Sequence, residues 1–151
     1  MEYIQEATKD DADQGCVFCT IPDQESDRVL ARDELAYVVL NKFPYNPGHI
    51  LVVPVRHVGD LSELTDDENT SLHSLVRRSV AAIRAEAEPH GFNIGMNLGR
   101  PAGAGIPDHL HWHVVPRWSG DTNFMPVVGQ TRVLPELLAE TARRLTPRFA
   151  Q

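Results

Sequence analysis

Three histidines alternate with apolar residues in the second half of the chain. His109, His111 and His113 are separated by Leu110 and Trp112. Because side chains on a strand alternate between its faces, this pattern predicts that all three imidazoles point to one face. Imidazole titrates near neutral pH, and a cluster of imidazoles suits proton transfer, attack on phosphorus or metal binding. We therefore interpret these three residues, the triad, as part of a functional site.

The chain has only two cysteines, Cys16 and Cys19, and they are separated by two residues. A pair at this spacing is typical of a metal site or a redox pair and cannot staple a secreted fold. A redox pair requires a strand that leads into a helix, and Thr20-Ile21-Pro22 offers no helix start. The pair therefore leaves two interpretations open, namely two ligands of a metal site or two buried thiols without a metal.

Composition limits the classes of partner. With 151 residues, of which 42% are hydrophobic and 23% are charged, the chain is long enough for one domain with a core. A formal net charge of -7 argues against nucleic acid as a partner, whereas backbone amides can still bind a small anion. No apolar run predicts a membrane span, and the polar start lacks the pattern of a signal peptide, which predicts a cytoplasmic protein. We expect a flexible leader at 1–14 and a single domain at 15–151.

The residues that must position these groups are predicted to lie on strands and helices. Residues 29–31 and 35–40 are typical of a hairpin around a polar turn. The turn-rich loop 41–48 leads into an apolar stretch at 49–54, which suits a strand buried on both faces.

A long helix and a shorter one are expected after this strand. Thr65 and Glu68 have the spacing of a capping box, and the apolar period after them predicts a helix that runs to about Glu88. Two further strands and a shorter helix are predicted at 92–98, 110–115 and 135–145. Antiparallel strands with a helix packed on one face make an α+β domain.

These motifs together resemble the histidine-triad (HIT) family, whose signature is His-x-His-x-His-x-x with apolar x. Asn41 and 47–54 resemble the ribose-binding loop and second strand of the family, and 97–99 resemble its phosphate-side loop. The resemblance covers about 16–124. Four segments most resemble the bacterial diadenosine tetraphosphate phosphorylase and Fhit-like branch, namely 89–93, 113–118, 120–121 and 123–124.

The resemblance implies a five-stranded antiparallel sheet with one long and one short C-terminal helix, in a chain that forms a homodimer. It also implies cleavage of a dinucleoside polyphosphate, such as diadenosine tetraphosphate, at the α-phosphate through a nucleotidyl-histidine, by phosphorolysis or hydrolysis. His111 matches the nucleophile of the family, and His113 matches the histidine beside the α-phosphate oxygens. Nucleotide contacts are implied for Asn41, His49, Asn97, Gly99, Gly103, Gly105 and His113.

The same resemblance completes a zinc site. In relatives with paired cysteines, and in galactose-1-phosphate uridylyltransferases, two histidines join the cysteines. One is the first of the triad, and the other follows the proline that ends the second strand by three residues. The matching positions here are His109 and His57. A structural zinc held by Cys16, Cys19, His57 and His109 is therefore implied.

Several alternatives stay open at this point. The chain could be a nucleoside phosphoramidate hydrolase, a non-catalytic zinc and nucleotide-binding module, or a metallohydrolase whose triad holds one catalytic metal. One departure from the family bears on whether water or phosphate takes the nucleotidyl group from the histidine. Relatives carry a serine or threonine before the triad where this chain has Ala104-Gly105-Ile106, so a hydroxyl that contacts phosphate is missing. Arg117 or Asn97 could receive a second anion, which leaves both water and phosphate open as acceptors.

Overall fold

The computed structural model describes residues 15–121 and 138–150, so the predicted leader lies outside the described residues. Five described strands form one antiparallel sheet in the order β1-β2-β3-β5-β4. This confirms the predicted α+β class and sheet. No helix in these two ranges is long and apolar enough to cross a membrane. The strands are β1 (Val29–Arg32), β2 (Ala36–Leu40), β3 (Ile50–Pro54), β4 (Gly91–Gly95) and β5 (Trp112–Arg117); the helices are α1 (Val17–Gln24), α2 (Asp66–Ala87) and α3 (Leu138–Leu145).

The hairpin of β1 and β2 forms as predicted. In its turn, Asp33 Oδ1 accepts hydrogen bonds from the backbone N–H groups of Leu35 and Ala36, each at 2.8 Å. The next strand, β3, is buried along its whole length, as its unbroken apolar sequence predicts. The last predicted helix is confirmed for its described part, because residues 135–137 lie outside the described ranges.

The two faces of the sheet bury separate apolar clusters. Val38 and Val52 pack with residues of α2 and α3 on one face, whereas Tyr37 and Val53 pack with residues of α1 on the other. This division follows from the alternation of side chains along a strand. Because His113 pairs with Leu51, a member of the α1 cluster, the sheet presents His113 on the α1 face.

The long helix α2 begins with the predicted capping box. Thr65 Oγ1 accepts from the backbone N–H of Glu68 at 3.2 Å, and Glu68 Oε2 accepts from the backbone N–H of Thr65 at 2.9 Å. Arg56, two residues after β3, also donates to both carboxylate oxygens of Glu68, at 2.7 and 2.8 Å. The buried Glu68 therefore joins the start of α2 to the end of β3.

This ion pair makes part of the stability dependent on pH. Hydrogen bonding from Arg56 lowers the pKa of Glu68 to about 2. A depressed carboxyl pKa stabilises the fold above the unfolded pKa of about 4.3, and this stabilisation is lost as the pH falls through the folded value. Glu68→Gln should lower the free energy of unfolding at pH 7 by about 1–2 kcal/mol, since Arg56 is half-exposed.

The check is urea unfolding at several pH values between 2 and 7. Wild type should lose more stability than Glu68→Gln as the pH falls from about 5 to 2. The control is Glu34→Gln, at an exposed position in the hairpin turn, which should follow wild type. Parallel pH profiles for wild type and Glu68→Gln would show that the pair adds no charge-dependent stability.

The predicted bounds of the last two strands are wrong by several residues. β4 stops at Gly95 rather than continuing to residue 98, and β5 begins at Trp112 rather than at Leu110. The backbone N–H of Leu110 donates instead to the carbonyl of Val58 at 2.7 Å, so it is unavailable to the strand ladder. The segment that carries His111 therefore precedes the strand.

Helix α1 overturns another expectation. The sequence predicts no helix start near the cysteines, yet α1 begins at Val17, directly after Cys16, and continues through Pro22. Proline lacks the N–H that would bond to the carbonyl of Phe18, four residues earlier. That carbonyl instead accepts a hydrogen bond from the Tyr37 hydroxyl at 2.7 Å. A contact from β2 thus satisfies the group that Pro22 leaves unpaired.

Candidate active site

The triad lies against α1, at and just before the start of β5. The rings of His111 and His113 are 5.0 Å apart, and Phe18 of α1 lies 4.9 Å from His111 and 5.5 Å from His109. His111 is only 7% exposed, and His109 is buried completely. The predicted clustering of the three imidazoles is therefore observed, although only His113 belongs to the strand.

Local backbone geometry determines which nitrogen of His111 can react. His111 Nδ1 lies 2.9 Å from the carbonyl oxygen of His109. Because a carbonyl only accepts, Nδ1 carries the proton and Nε2 keeps its lone pair. Burial lowers the pKa of His111, so the ring is neutral at pH 7. A neutral imidazole with an available lone pair meets the basic requirement for a nucleophile.

A chain of hydrogen bonds determines the proton position on His113 in the same way. The backbone N–H of Tyr45 donates to His49 Nδ1 at 3.1 Å, so the His49 proton lies on Nε2. His49 Nε2 then donates to His113 Nδ1 at 3.0 Å. His113 therefore carries its own proton on Nε2, the nitrogen that does not face His49.

His49 and His113, the two histidines of this series of hydrogen bonds, are both neutral at pH 7. Burial lowers the pKa of His49 to about 3 and that of His113 to about 4, and repulsion from neighbouring imidazoles adds to each shift. A neutral His113 can donate a hydrogen bond to an oxygen that develops negative charge. It is not a cationic acid near neutral pH.

Two predicted nucleotide-binding residues of the β2–β3 loop, Asn41 and His49, lie beside His113 or in contact with it. His49 is 1% exposed and contacts His113. The Asn41 side-chain nitrogen lies 3.3 and 3.4 Å from the two ring nitrogens of His49, while Asn41 Oδ1 accepts from the backbone N–H of Phe43. Asn41 is thus held at the edge of the site, whereas His49 lies behind His113.

The glycine-bearing loop leaves the sheet beside the triad. Gly95, the last residue of β4, pairs with His113, and Asn97 follows it by two residues at the start of the loop. Asn97 Nδ2 donates to the Gly103 carbonyl at 3.4 Å and closes the loop. Gly99 and Gly103 have φ angles of 79° and 91°, which favour glycine. Gly105 has no positive φ, and an added Cβ there meets nothing within 4 Å.

Arg117, a predicted contact for a second anion, is already engaged. Its Nε and Nη2 atoms donate to Asp121 at 2.7 and 2.9 Å, and Nη1 donates to Asn93 Oδ1 at 2.6 Å. A second anion would have to compete with these two partners for the guanidinium.

The two cysteines meet His57 and His109, forming what we call the metal group. The four ligand atoms all lie within 4.8 Å of one another. Cys16 Sγ is 3.2 Å from His109 Nδ1, and Cys19 Sγ is 3.4 Å from His57 Nδ1 and 3.6 Å from His109 Nδ1. Tetrahedral zinc with ordinary bond lengths separates sulfur and nitrogen ligands by about 3.6 Å. The metal group can therefore hold a metal ion.

The hydrogen bond made by His109 Nε2 supports metal binding by this group. His109 Nε2 lies 2.9 Å from the Pro54 carbonyl and so carries the proton, which leaves the Nδ1 lone pair directed at the thiols. His111 and His113 lie outside the metal group found in the described part of the chain. This separation argues against a metallohydrolase in which the whole triad holds one metal.

Comparison with known proteins identifies the family. A profile of the HIT domain matches residues 23–120. The chain belongs to the HIT family. It is 43% identical over 158 residues to AP-4-A phosphorylase of Mycobacterium tuberculosis, covering 100% of this chain and 81% of that protein. It is 37% identical over 94 residues to the asymmetrical bis(5'-nucleosyl)-tetraphosphatase of Schizosaccharomyces pombe, covering 62% of this chain and 51% of that one.

A solved HIT structure shares the fold. A zinc-bound histidine triad family protein from Mycobacterium smegmatis superposes with a TM-score of 0.72 at 28% identity, covering 90% of this chain and 94% of that one.

Sequence reasoning missed three contacts of this HIT site. Phe18 packs on the triad, Tyr45 stacks on His49 at 4.8 Å, and the Pro54 carbonyl holds His109. The position of Phe18 between the two cysteines was an available signal. The other two contacts depend on how the β2–β3 loop and the end of β3 fold back on the triad.

Proposed function

We propose that this HIT protein cleaves dinucleoside polyphosphates, such as diadenosine tetraphosphate, at the α-phosphate through a nucleotidyl-histidine. The observation that carries the proposal is the hydrogen bond from His111 Nδ1 to the His109 carbonyl, which leaves Nε2 as a neutral nucleophile next to His113. The names of the two relatives, a phosphorylase and a tetraphosphatase, support the substrate class.

In the first step, the lone pair of His111 Nε2 forms a bond to the α-phosphorus. The bond from phosphorus to the leaving phosphate chain breaks, and its electron pair remains on the leaving oxygen. His113 Nε2–H donates a hydrogen bond where this negative charge develops. In the second step, water or phosphate attacks phosphorus, and the electron pair of the P–N bond returns to Nε2. With water, the surplus proton passes to solvent.

The neutral state of His113 favours a phosphate leaving group over an amine. A terminal phosphate has a second pKa of about 6 and can leave as an anion with hydrogen-bond support. An amine leaving from a phosphoramidate must be fully protonated, and a histidine whose pKa lies at about 4 holds no extra proton at pH 7. A phosphate leaving group therefore makes the smaller demand on His113.

The substrate contacts follow from the position of the two loops. We assign the ribose of the transferred nucleotide to Asn41 and its phosphate to backbone amides of the loop closed by Asn97, because such amides bind anions without net positive charge. His49 acts on the substrate through His113, which it contacts. The loop positions in this assignment are Gly99, Gly103 and Gly105.

The metal group fits a structural zinc. Two thiolates and two imidazoles are a common zinc donor set, and the zinc-bound relative from Mycobacterium smegmatis supports the identity of the ion. When bound, zinc would supply folding stability by linking α1 to the segments that carry His57 and His109. It would leave His111 and His113 for chemistry.

We also propose that the protein is a homodimer and lies in the cytoplasm. β4 is an edge strand of the sheet, and Ile94 on it is 45% exposed. An open, partly apolar edge favours pairing with a second copy about a two-fold axis.

The acceptor is tested by product identity. Diadenosine tetraphosphate cleaved in phosphate buffer gives ATP with ADP by phosphorolysis and ATP with AMP by hydrolysis. We expect both sets of products, and we expect Gly105→Ser to raise the ratio of ADP to AMP by up to about tenfold, since it adds one hydrogen bond of about 0.5–1.5 kcal/mol. The position accepts a side chain without a clash.

The matched control is Ala81→Ser. Ala81 is an exposed residue of α2, which packs on the face of the sheet opposite His113, so the variant gains a hydroxyl away from the triad. It should keep the wild-type ratio of ADP to AMP. If the ratio is also unchanged in Gly105→Ser, the missing hydroxyl does not decide the acceptor.

A further inference from the structure

The loop between β2 and β3 carries exposed groups that the mechanism above does not use. Tyr45 is 63% exposed and Phe43 is 53% exposed. Lys42 Nζ lies 5.9 Å from the centre of the Phe43 ring, and Lys42 is the one lysine in the described ranges 15–121 and 138–150. Exposed aromatic side chains next to a catalytic site indicate a surface for ligand contact.

The Tyr45 ring is held in a defined position. It stacks on His49 with ring centres 4.8 Å apart and planes 29° apart, and it lies 6.1 Å from the His113 ring at 21°. The next residue, Asn46, donates to the Pro116 carbonyl at 2.9 Å and to Asp121 Oδ2 at 2.8 Å. The loop is therefore fixed to the end of β5, so a ligand that stacks on Tyr45 pays little for ordering it.

Tyr45 lies at one end of a row of rings that contains the nucleophile. The Phe18 ring lies 4.9 Å from His111, and the His113 ring lies 5.0 Å from it. The Tyr45 ring lies 6.1 Å from His113. Because His113 is the group assigned to the leaving oxygen, Tyr45 lies close to where the leaving group departs.

We propose that Tyr45 and Lys42 bind the leaving nucleotide of a dinucleoside polyphosphate. Its nucleobase stacks on the open side of the Tyr45 ring, and Lys42 pairs with its phosphates. A flat base suits an exposed aromatic ring, and a local cation suits a polyanion on a chain of net charge -7. This inference rests on the proposed function and deepens it, since it predicts selection of dinucleoside substrates over nucleotides with a small leaving group.

The test compares two substrates that transfer the same adenylyl group. Diadenosine tetraphosphate releases a nucleotide, whereas adenosine 5'-phosphorofluoridate releases only fluoride. Tyr45→Ala should lower the ratio of kcat/KM for diadenosine tetraphosphate over the fluoridate by about tenfold or more. Tyr45→Phe keeps the ring and should retain the ratio within about twofold. Lys42→Gln should also lower the ratio of the two kcat/KM values, and the effect should be largest at low ionic strength because salt screens an exposed charge.

Leu35→Ala is the control for loss of an exposed apolar side chain, because Leu35 lies at the opposite end of β2. It should keep the wild-type ratio. Equal losses on both substrates in Tyr45→Ala would mean that the ring only supports His49, and no loss on either would also overturn the inference. Wild-type protein that turns over the fluoridate but not diadenosine tetraphosphate would overturn the proposed function itself, which separates the two failures.

Discussion

Replacing His111 with alanine is expected to reduce kcat for diadenosine tetraphosphate by about 10³-fold or more. The change removes the nucleophile, and no neighbour can replace it. His109 Nε2 is held by the Pro54 carbonyl and its Nδ1 faces the thiols, while the lone pair of His113 is occupied by His49. Product formation measured by chromatography at saturating substrate checks the result.

The control for His111→Ala is His90→Ala. His90 is an exposed histidine that bonds to Ser119, away from the triad. It should keep wild-type turnover, and both variants should keep the wild-type fold by circular dichroism. Turnover of His111→Ala within about tenfold of wild type, a barrier change of only about 1.4 kcal/mol, would exclude the nucleotidyl-histidine mechanism.

Cys16→Ser is expected to lose bound zinc and a large part of the stability. The substitution changes one atom, so packing is nearly unchanged, but it removes a thiolate from the metal group. A structural zinc contributes folding free energy directly, and we expect a loss of at least about 3 kcal/mol, or about 6–12 °C in Tm for a domain of this size. Elemental analysis and thermal unfolding of untagged protein measure the two effects.

A chelator provides the control for the zinc prediction. It should lower the Tm of wild type towards that of Cys16→Ser and leave the Tm of the variant almost unchanged, since the variant has no zinc to lose. If purified wild type contains no zinc, or if wild type and variant have equal Tm values, the metal group does not hold a structural zinc.

Local sequence patterns were sufficient for the features that depend on neighbouring residues. The Thr65 and Glu68 spacing predicted the start of α2, because both hydrogen bonds of a capping box lie within one turn. The alternation of His111 and His113 with apolar residues predicted that their rings would lie close together, and the ring centres are 5.0 Å apart although only His113 belongs to β5.

Features that depend on distant contacts were not predictable from the sequence. Helix α1 continues through Pro22 because the hydroxyl of Tyr37, 19 residues after Phe18, donates to the Phe18 carbonyl in place of the missing N–H. β5 starts late because the Leu110 amide bonds to Val58, 52 residues earlier. Both errors arise where tertiary hydrogen bonds replace the local ones that sequence patterns describe.

The proton positions in the site were the least predictable feature. The tautomers of His109 and His111 are set by the backbone carbonyls of Pro54 and of His109 itself, and that of His113 by a chain that begins at the Tyr45 amide. Every residue carries such backbone groups, so the sequence gives no signal of which ones will bond to an imidazole.

The covalent intermediate tests the central claim most directly. Protein mixed with diadenosine tetraphosphate and quenched in alkali within one turnover should carry one adenylyl group, because a phosphorus–nitrogen bond to histidine survives alkali. Mass spectrometry of the peptides should place this group on His111, and His111→Ala should carry none. Wild-type turnover with no adduct at any quench time, or an adduct on another residue, would contradict the account.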